Sequence, residues 1–263
     1  MLSAQQIQSF HDNGFVLNGK VLTDEQIGIL RDEVLRVIRD KDNSAVKQPV
    51  MLHNMGKPDA AVWQIVNIYE ASEPFRQLIS NPAILKSMVT LTGAKELRIW
   101  HDQIQYKPAS MGGVNMWHQD APYWPILRPM TQVTAWVALD DVPEDNGCMS
   151  MVPGSHKWGN TIDFLHTIKD YDAMPKEYQG KPIEVRRCPV KAGEVHFLHA
   201  LTWHGSHANK SGRPRRAIAL HYITDETRYV AAGMHVMKKF VEVSDGEVLK
   251  GSHFPLVWSA SAD

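Results

Sequence analysis

Apolar residues recur at helical intervals in the first third of the chain and at every second position after it. Ser3 stands before Ile7 and Phe10, and Asn13-Gly14 follows, which predicts a short capped helix. Thr23 and Gln26 have capping-box spacing, and Ile27, Leu30, Val34, Val37 and Ile38 behind them form one apolar helical stripe. The stretch 41–62, broken by Pro49, Gly56 and Pro58, reads as a loop. Two more helices are expected, one from Ser72-Glu73-Pro74 and one capped by Asn81, with Pro82 in its first turn and Gly93 past its end. Residues 1–93 are therefore expected to be mostly helical.

Beyond Gly93 the period changes to two. Leu97, Ile99, His101, Gln103 and Gln105 are expected on one face of a strand. Over 130–140, Gln132, Thr134, Trp136 and Ala138 alternate with Val133, Ala135, Val137 and Leu139. Further strands are expected at 148–152, 184–188, 193–199 and 215–224, separated by turns such as Glu144-Asp145-Asn146-Gly147 and Pro153-Gly154-Ser155-His156. Short strands without intervening helices argue for a sandwich or jelly roll over a parallel sheet. The expected organisation is one mainly β domain with flanking helices over 1–263. Its core would span 94–225, with an insertion near 157–183 and a C-terminal extension from 226.

Composition narrows the function. The formal charge is -1, from 28 basic and 29 acidic side chains, which leaves no electrostatic footprint for nucleic acid or an anionic membrane. Recognition of a small molecule in a local pocket is expected instead, by a monomer or homodimer. Cys148 and Cys188 are too few for a disulfide framework and read as buried thiols of a cytoplasmic protein. The N-terminus lacks the features of a signal peptide, and no run reaches the length of a membrane span.

The 13 histidines cluster around Trp117-His118-Gln119-Asp120 and between His196 and His207. In His118-Gln119-Asp120, residues i and i+2 project to one side and bring an imidazole and a carboxylate to one point. A second histidine from a distant strand would complete a 2-His-1-carboxylate face, which suits Fe(II) and O2. His204 precedes a Gly/Asn/Ser turn and Arg215, which opens an apolar strand. A hairpin of that length is expected to lay Arg215 beside the His204 strand. An arginine entering the barrel needs an anion, and a dicarboxylate would supply one; Arg213 and Arg216 are the rival cations. His101, His196, His199, His207 and His221 read as strand or supporting residues. His53, Tyr123 and Trp124 are candidates for a substrate pocket.

These blocks resemble the phytanoyl-CoA dioxygenase family of Fe(II)/2-oxoglutarate oxygenases. The resemblance is carried by Trp117-His118-Gln119-Asp120 with Tyr123-Trp124-Pro125, Asn146-Gly147-Cys148 with Pro153-Gly154-Ser155-His156, Gly193-Glu194, and His204-Gly205-Ser206 through Arg215. It implies a double-stranded β-helix, a cupin-like jelly roll. It also implies a dioxygenase that couples conversion of 2-oxoglutarate and O2 to succinate and CO2 with hydroxylation of an unactivated C–H. By position, His118, Asp120 and His204 would be the iron ligands. Arg215 and Ser206 would hold the far carboxylate of 2-oxoglutarate, with Trp136 and Gln103 beside the cosubstrate. Trp124 matches an aromatic that contacts substrate in ectoine hydroxylase-like members. The substrate is expected to be a free metabolite, since no broad basic surface awaits a CoA phosphate. The rival reading is a cupin-like metalloprotein, an isomerase or binding protein that needs the histidines but not Arg215.

Overall fold

Capping chemistry sets the helix ends. In the computed structural model, which describes residues 1–54, 62–109 and 113–260, Ser3 and Gln6 cap one another at the start of helix Ala4–Asn13. That helix closes on Gly14, whose φ of 84° costs no Cβ strain. Thr23 and Gln26 repeat the reciprocal pair at Asp24–Arg39. The Asn81 side chain accepts from the backbone of Ala83 and Ile84 at Pro82–Thr92. Gly56 and Pro58, read as loop breakers, lie outside the described residues.

Two antiparallel sheets face each other. Among the described residues the larger has eight strands. Its order runs Phe15–Lys20, Glu194–His199, Val133–Ala138, Arg215–Thr224, Glu96–Lys107, Trp63–Val66, Met51–Asn54, and Leu256–Ser259 also pairs with Glu96–Lys107. The smaller sheet orders Arg186–Cys188, Met149–Met151, His204–Ser206 and Asn115–His118. This is the expected jelly roll, with helices covering the outer face of the larger sheet. Val133, Ala135 and Val137 point outward and pack with Leu97, Ile104, Phe197 and Leu220 against Ile27, Leu30, Val34 and Met88. Thr134 and Trp136, in the other phase, face the space between the sheets. Each buried aliphatic of this layer contributes about 1.5–3 kcal/mol, so the helix–sheet layer anchors the larger sheet and leaves its inner face for chemistry.

Three expectations need correction. The region 1–93 also supplies strands Phe15–Lys20, Met51–Asn54 and Trp63–Val66, the second of them inside the stretch read as a loop. Two of these are only four residues long, too short for a period to declare itself, and antiparallel pairing with neighbouring strands holds all three. Second, Leu97 and Ile99 do not share a face with His101, Gln103 and Gln105. His221 pairs with His101 and Tyr222 with Ile99, so Trp100 is an extra residue, and this bulge moves the later residues to the other face. Third, Arg215 does not lie beside the His204 strand. The connection after Ser206 crosses between sheets, and Arg215 pairs instead with Lys107 in the larger sheet. Both cysteines are buried free thiols. Among the described residues, no helix is long and apolar enough to cross a membrane.

Candidate functional site

A cavity of about 700 Å3 opens between the two sheets. His118 ends strand Asn115–His118, and its direct cross-strand neighbour is His204. Asp120 sits in the turn that follows, held by its N–H donating to the Ala200 carbonyl. His118 Nε2 and His204 Nε2 each lie 3.6 Å from Asp120 Oδ1. One ligand atom from each residue falls within 4.8 Å of the others, close enough for one ion to draw all three together with bonds of about 2 Å.

The protonation pattern suits a metal. His118 Nδ1 is 2.7 Å from the Met116 carbonyl, and His204 Nδ1 is 2.9 Å from the Thr202 carbonyl. A carbonyl only accepts, so both Nδ1 atoms carry hydrogen, and Nε2 is the ring nitrogen that each histidine turns toward Asp120. Burial first, then the neighbouring His204, pushes His118 down to about 4, which keeps it neutral. The donor set therefore fits a divalent first-row ion with neighbouring positions open. Thr134 Oγ1 lies 3.4 Å from Asp120 Oδ2 and 2.7 Å from His221 Nδ1. With the Thr134 hydroxyl donating to Asp120, His221 Nδ1–H donates to Thr134, so a short relay braces the carboxylate.

Arg215 lines the same cavity and is wholly buried. Its guanidinium stands 5.0 Å from the Trp136 ring centroid, and its Nε and Nη1 have no partner among the described residues. Burial pushes it down to about 10, still charged at neutral pH. Arg216 and Arg213, the rival cations, pair instead with Asp140 and Asp145. Ser206, Trp136 and Gln103 also line the cavity, as does Trp124, which packs edge-on to His101 and His221. Tyr123, 48% exposed, sits at the mouth with its hydroxyl 2.9 Å from His166 Nε2 in the 157–183 insertion. His53 is exposed on the last strand of the sheet and does not line the cavity; Met51 and Gln64 do.

The sequence reading missed Lys107. It is wholly buried, and its Nζ donates to Ser206 Oγ and to the His207 carbonyl, each at 3.1 Å. Its signal was its phase: it continues the alternation of Gln103 and Gln105. His101 and His221, both buried, and the half-buried His235 also stand on the cavity wall, as a neutral cluster.

Comparison with known proteins agrees with this arrangement. The family model for phytanoyl-CoA dioxygenase (PhyH) matches residues 10–217. Peroxisomal phytanoyl-CoA dioxygenase of Bos taurus is 26% identical over 248 residues, covering 88% of this chain and 71% of that protein. Ectoine dioxygenase of Bordetella parapertussis is 29% identical over 238 residues, covering 84% of this chain and 75% of that one. Among solved structures, the non-heme alpha ketoglutarate dependent carbocyclase SnoK from nogalamycin biosynthesis superposes with a TM-score of 0.79 at 27% identity, covering 98% of this chain and 97% of its own. The chain belongs to the phytanoyl-CoA dioxygenase family and is a non-haem iron dioxygenase that uses 2-oxoglutarate and O2.

Proposed function

We propose that this chain, as one oxygenase domain, hydroxylates a free small metabolite. In this reading His118, Asp120 and His204 hold Fe(II), and Arg215 with Ser206 receives the far carboxylate of 2-oxoglutarate. Trp136 and Gln103 flank the cosubstrate, and Trp124 and Tyr123 meet the substrate. The observation that carries the reading is a single cavity with two histidines of the smaller sheet and the following Asp120 at one end, and an unpaired, buried guanidinium of the larger sheet at the other. A cupin-like protein with other chemistry has no use for that guanidinium, and leaving it buried without an anion costs roughly 3–5 kcal/mol.

Bound iron would supply the O2 activation that couples decarboxylation of the keto acid to oxidation of a substrate C–H. The residues do the rest. The Met116 and Thr202 carbonyls fix the imidazole tautomers. Thr134 steadies Asp120. Arg215 donates to the far carboxylate, which fixes the keto acid's reach toward the triad. Met116, Trp124, Leu165 and Ile168 give the cavity apolar walls that exclude water.

The size of the cavity supports a free metabolite. About 700 Å3 lies within the usual range for one drug-sized ligand, and 2-oxoglutarate occupies part of it. Two buried free thiols fit a reducing cytoplasm, and monomer or homodimer remains the expected state. Anaerobic Fe(II) with 2-oxoglutarate should give a weak visible charge-transfer band that Arg215→Ala removes at the same keto-acid concentration. No band in the wild type would sink the reading. A panel of metabolites screened for stimulated succinate release, with products examined for a gain of one oxygen, then finds the substrate. SnoK's near full-length match favours ring closure as the second reading; its product would lose two hydrogens and gain no oxygen.

A further inference from the structure

One stretch of the cavity wall is built from imidazoles. His101 and His221 are direct cross-strand partners, 3% and 4% exposed, and both line the cavity. The half-buried His235 joins them from the C-terminal extension. Its ring stacks on His101 at 5.7 Å and lies 5.0 Å from Trp100, which stacks in turn on Phe254. Trp124 stands edge-on to His101 and His221, at 5.6 and 4.7 Å. Apolar side chains would fill this wall without stripping water from nitrogen, so the imidazoles call for a polar occupant.

The Nδ1 partner of each ring fixes its tautomer. The Met237 N–H donates to His235 Nδ1 at 3.2 Å, so in the neutral ring the hydrogen sits on Nε2. His221 Nδ1 donates to Thr134, whose hydroxyl donates on to Asp120, so His221 Nε2 is an acceptor. His101 Nδ1 faces the Asp102 carbonyl at 3.4 Å, which only accepts. His101 Nε2 is then a lone pair, and it has no partner among the described residues. Burial pushes His101 down to about 3 and His235 to about 4, and His221 well below the ordinary range, so all three are neutral. The wall offers one N–H, two lone pairs and no charge.

The charged groups of the cavity lie elsewhere. Among the described residues, its ionic lining is Asp120, Arg215 and Lys169. Asp120 belongs to the triad, and Arg215 faces the cosubstrate in the proposed reading. Lys169 is exposed on the insertion, with its Nζ on the His166 carbonyl. A charged substrate group set against the imidazoles would lack a counter-ion. A hydroxyl both donates and accepts, so a pair of hydroxyls matches this wall: their hydrogens go to His101 and His221, and one oxygen takes the hydrogen of His235.

We propose that His101, His221 and His235, beside Trp124, are the specificity-determining wall of the substrate site and select a neutral, polyhydroxylated small molecule. The proposal rests on the oxygenase reading and names its substrate class. The chain from Asp120 through Thr134 that braces the carboxylate also sets which nitrogen of His221 meets the substrate.

The first arm of the test needs no substrate. Ring-nitrogen NMR spectra of the metal-free protein near neutral pH, assigned with single His→Gln variants, should show Nδ1–H at His101 and His221 and Nε2–H at His235. Nε2–H at His101 or His221, or a charged ring at any of the three, would overturn the proposal. The second arm screens cyclic polyols and methyl glycosides against matched carboxylic acids and amines on the Fe(II) protein with 2-oxoglutarate, reading stimulated succinate release. Stimulation is expected from the hydroxylated neutral set; stimulation by acids or amines instead, or by no compound, overturns the assignment of class. For the best hit, an analogue lacking one hydroxyl should lose roughly tenfold or more in kcat/KM. His101→Phe and His235→Leu should lose as much on the hit, mainly in KM, and should no longer prefer it to the analogue. His235→Gln, which keeps an N–H at that end of the side chain, should recover most of the loss. Equal losses for hit and analogue would leave the histidines a merely structural role and refute the proposal. A wild type without the Fe(II)–2-oxoglutarate charge-transfer band would sink the oxygenase reading itself, whereas a normal band without a hydroxylated hit sinks this proposal alone.

Discussion

Buried neutral histidines should make the metal-free fold acid-sensitive, and three that lie outside the triad give the size of the effect. His101, His196 and His221 are 3%, 3% and 4% exposed. Burial pushes His101 down to about 3 and His196 to about 4. It pushes His221 well below the ordinary range, with His101 adding repulsion. In the unfolded chain each titrates near about 6.5. The folded values are depressed, so the folded state binds fewer protons; its stability is complete above the unfolded value and drains as pH falls toward the folded ones. Around pH 5.5 unfolding takes up about 0.9 proton at each, which for three residues gives a slope of roughly 3–4 kcal/mol per pH unit. From about pH 6.5 to 4.5 the loss amounts to roughly 7 kcal/mol, within reach of the ~5–15 kcal/mol that holds a typical domain folded. Urea unfolding of the metal-free protein at several pH values should show the midpoint falling at a steady m. His196 lies away from the cavity, its Nε2 on the Cys188 carbonyl, so His196→Gln should lower the slope by about 1.2 kcal/mol per pH unit. Stability constant to within about 2 kcal/mol between pH 7 and 5 would mean that these imidazoles are charged in the folded protein, and the reasoning would fail.

Three further outcomes are expected. His204→Ala should abolish tight Fe(II) binding and succinate formation, since two of the three donors cannot close the face; retained turnover would show that the triad is not the iron site. Arg215→Leu should weaken 2-oxoglutarate about 100-fold or more, the worth of a bidentate charge-assisted pair, without lowering metal-free stability; a loss under about fivefold in a binding titration would contradict the assignment. Gly147 has a φ of 81°, and a Cβ there would meet the His207 carbonyl oxygen at 2.5 Å. Gly147→Ala should therefore cost about 2–4 kcal/mol in denaturant unfolding, and wild-type stability would refute the backbone argument.

The triad was legible because its geometry is local. An i, i+2 pair at a strand end and one cross-strand histidine suffice, and neither needs the rest of the fold. The alternation around Trp136 was legible for the same reason: that strand is central and buried on both faces. Arg215 was found by position, yet its neighbours were misplaced, because spacing along the chain does not say when a connection changes sheets. Lys107 was passed over because a lysine beside Pro108 at a strand end looks solvated. Only the sheet partner across from it, itself a buried arginine, reveals the burial. His53 fails for a related reason: its strand was not recognised, so its distance from the cavity was invisible.

The Trp100 bulge ties these points together. Before it, Leu97 and Ile99 serve the helix-covered core; after it, His101, Gln103 and Gln105 line the cavity and Lys107 ends up behind Ser206. One strand thus feeds two environments that regular alternation would keep on one face. The cavity inherits two poles on opposite sheets: the triad histidines on the smaller, Arg215 and Lys107 on the larger. A keto acid reaching from one pole to the other would bridge the sheets. The substrate is then left the remaining side of the cavity, where Trp124 packs on the histidine cluster and Tyr123 meets His166 of the insertion. On the proposed reading, that division of the cavity would put specificity in the Tyr123–Trp124 turn and the 157–183 insertion, and cosubstrate choice in the larger sheet.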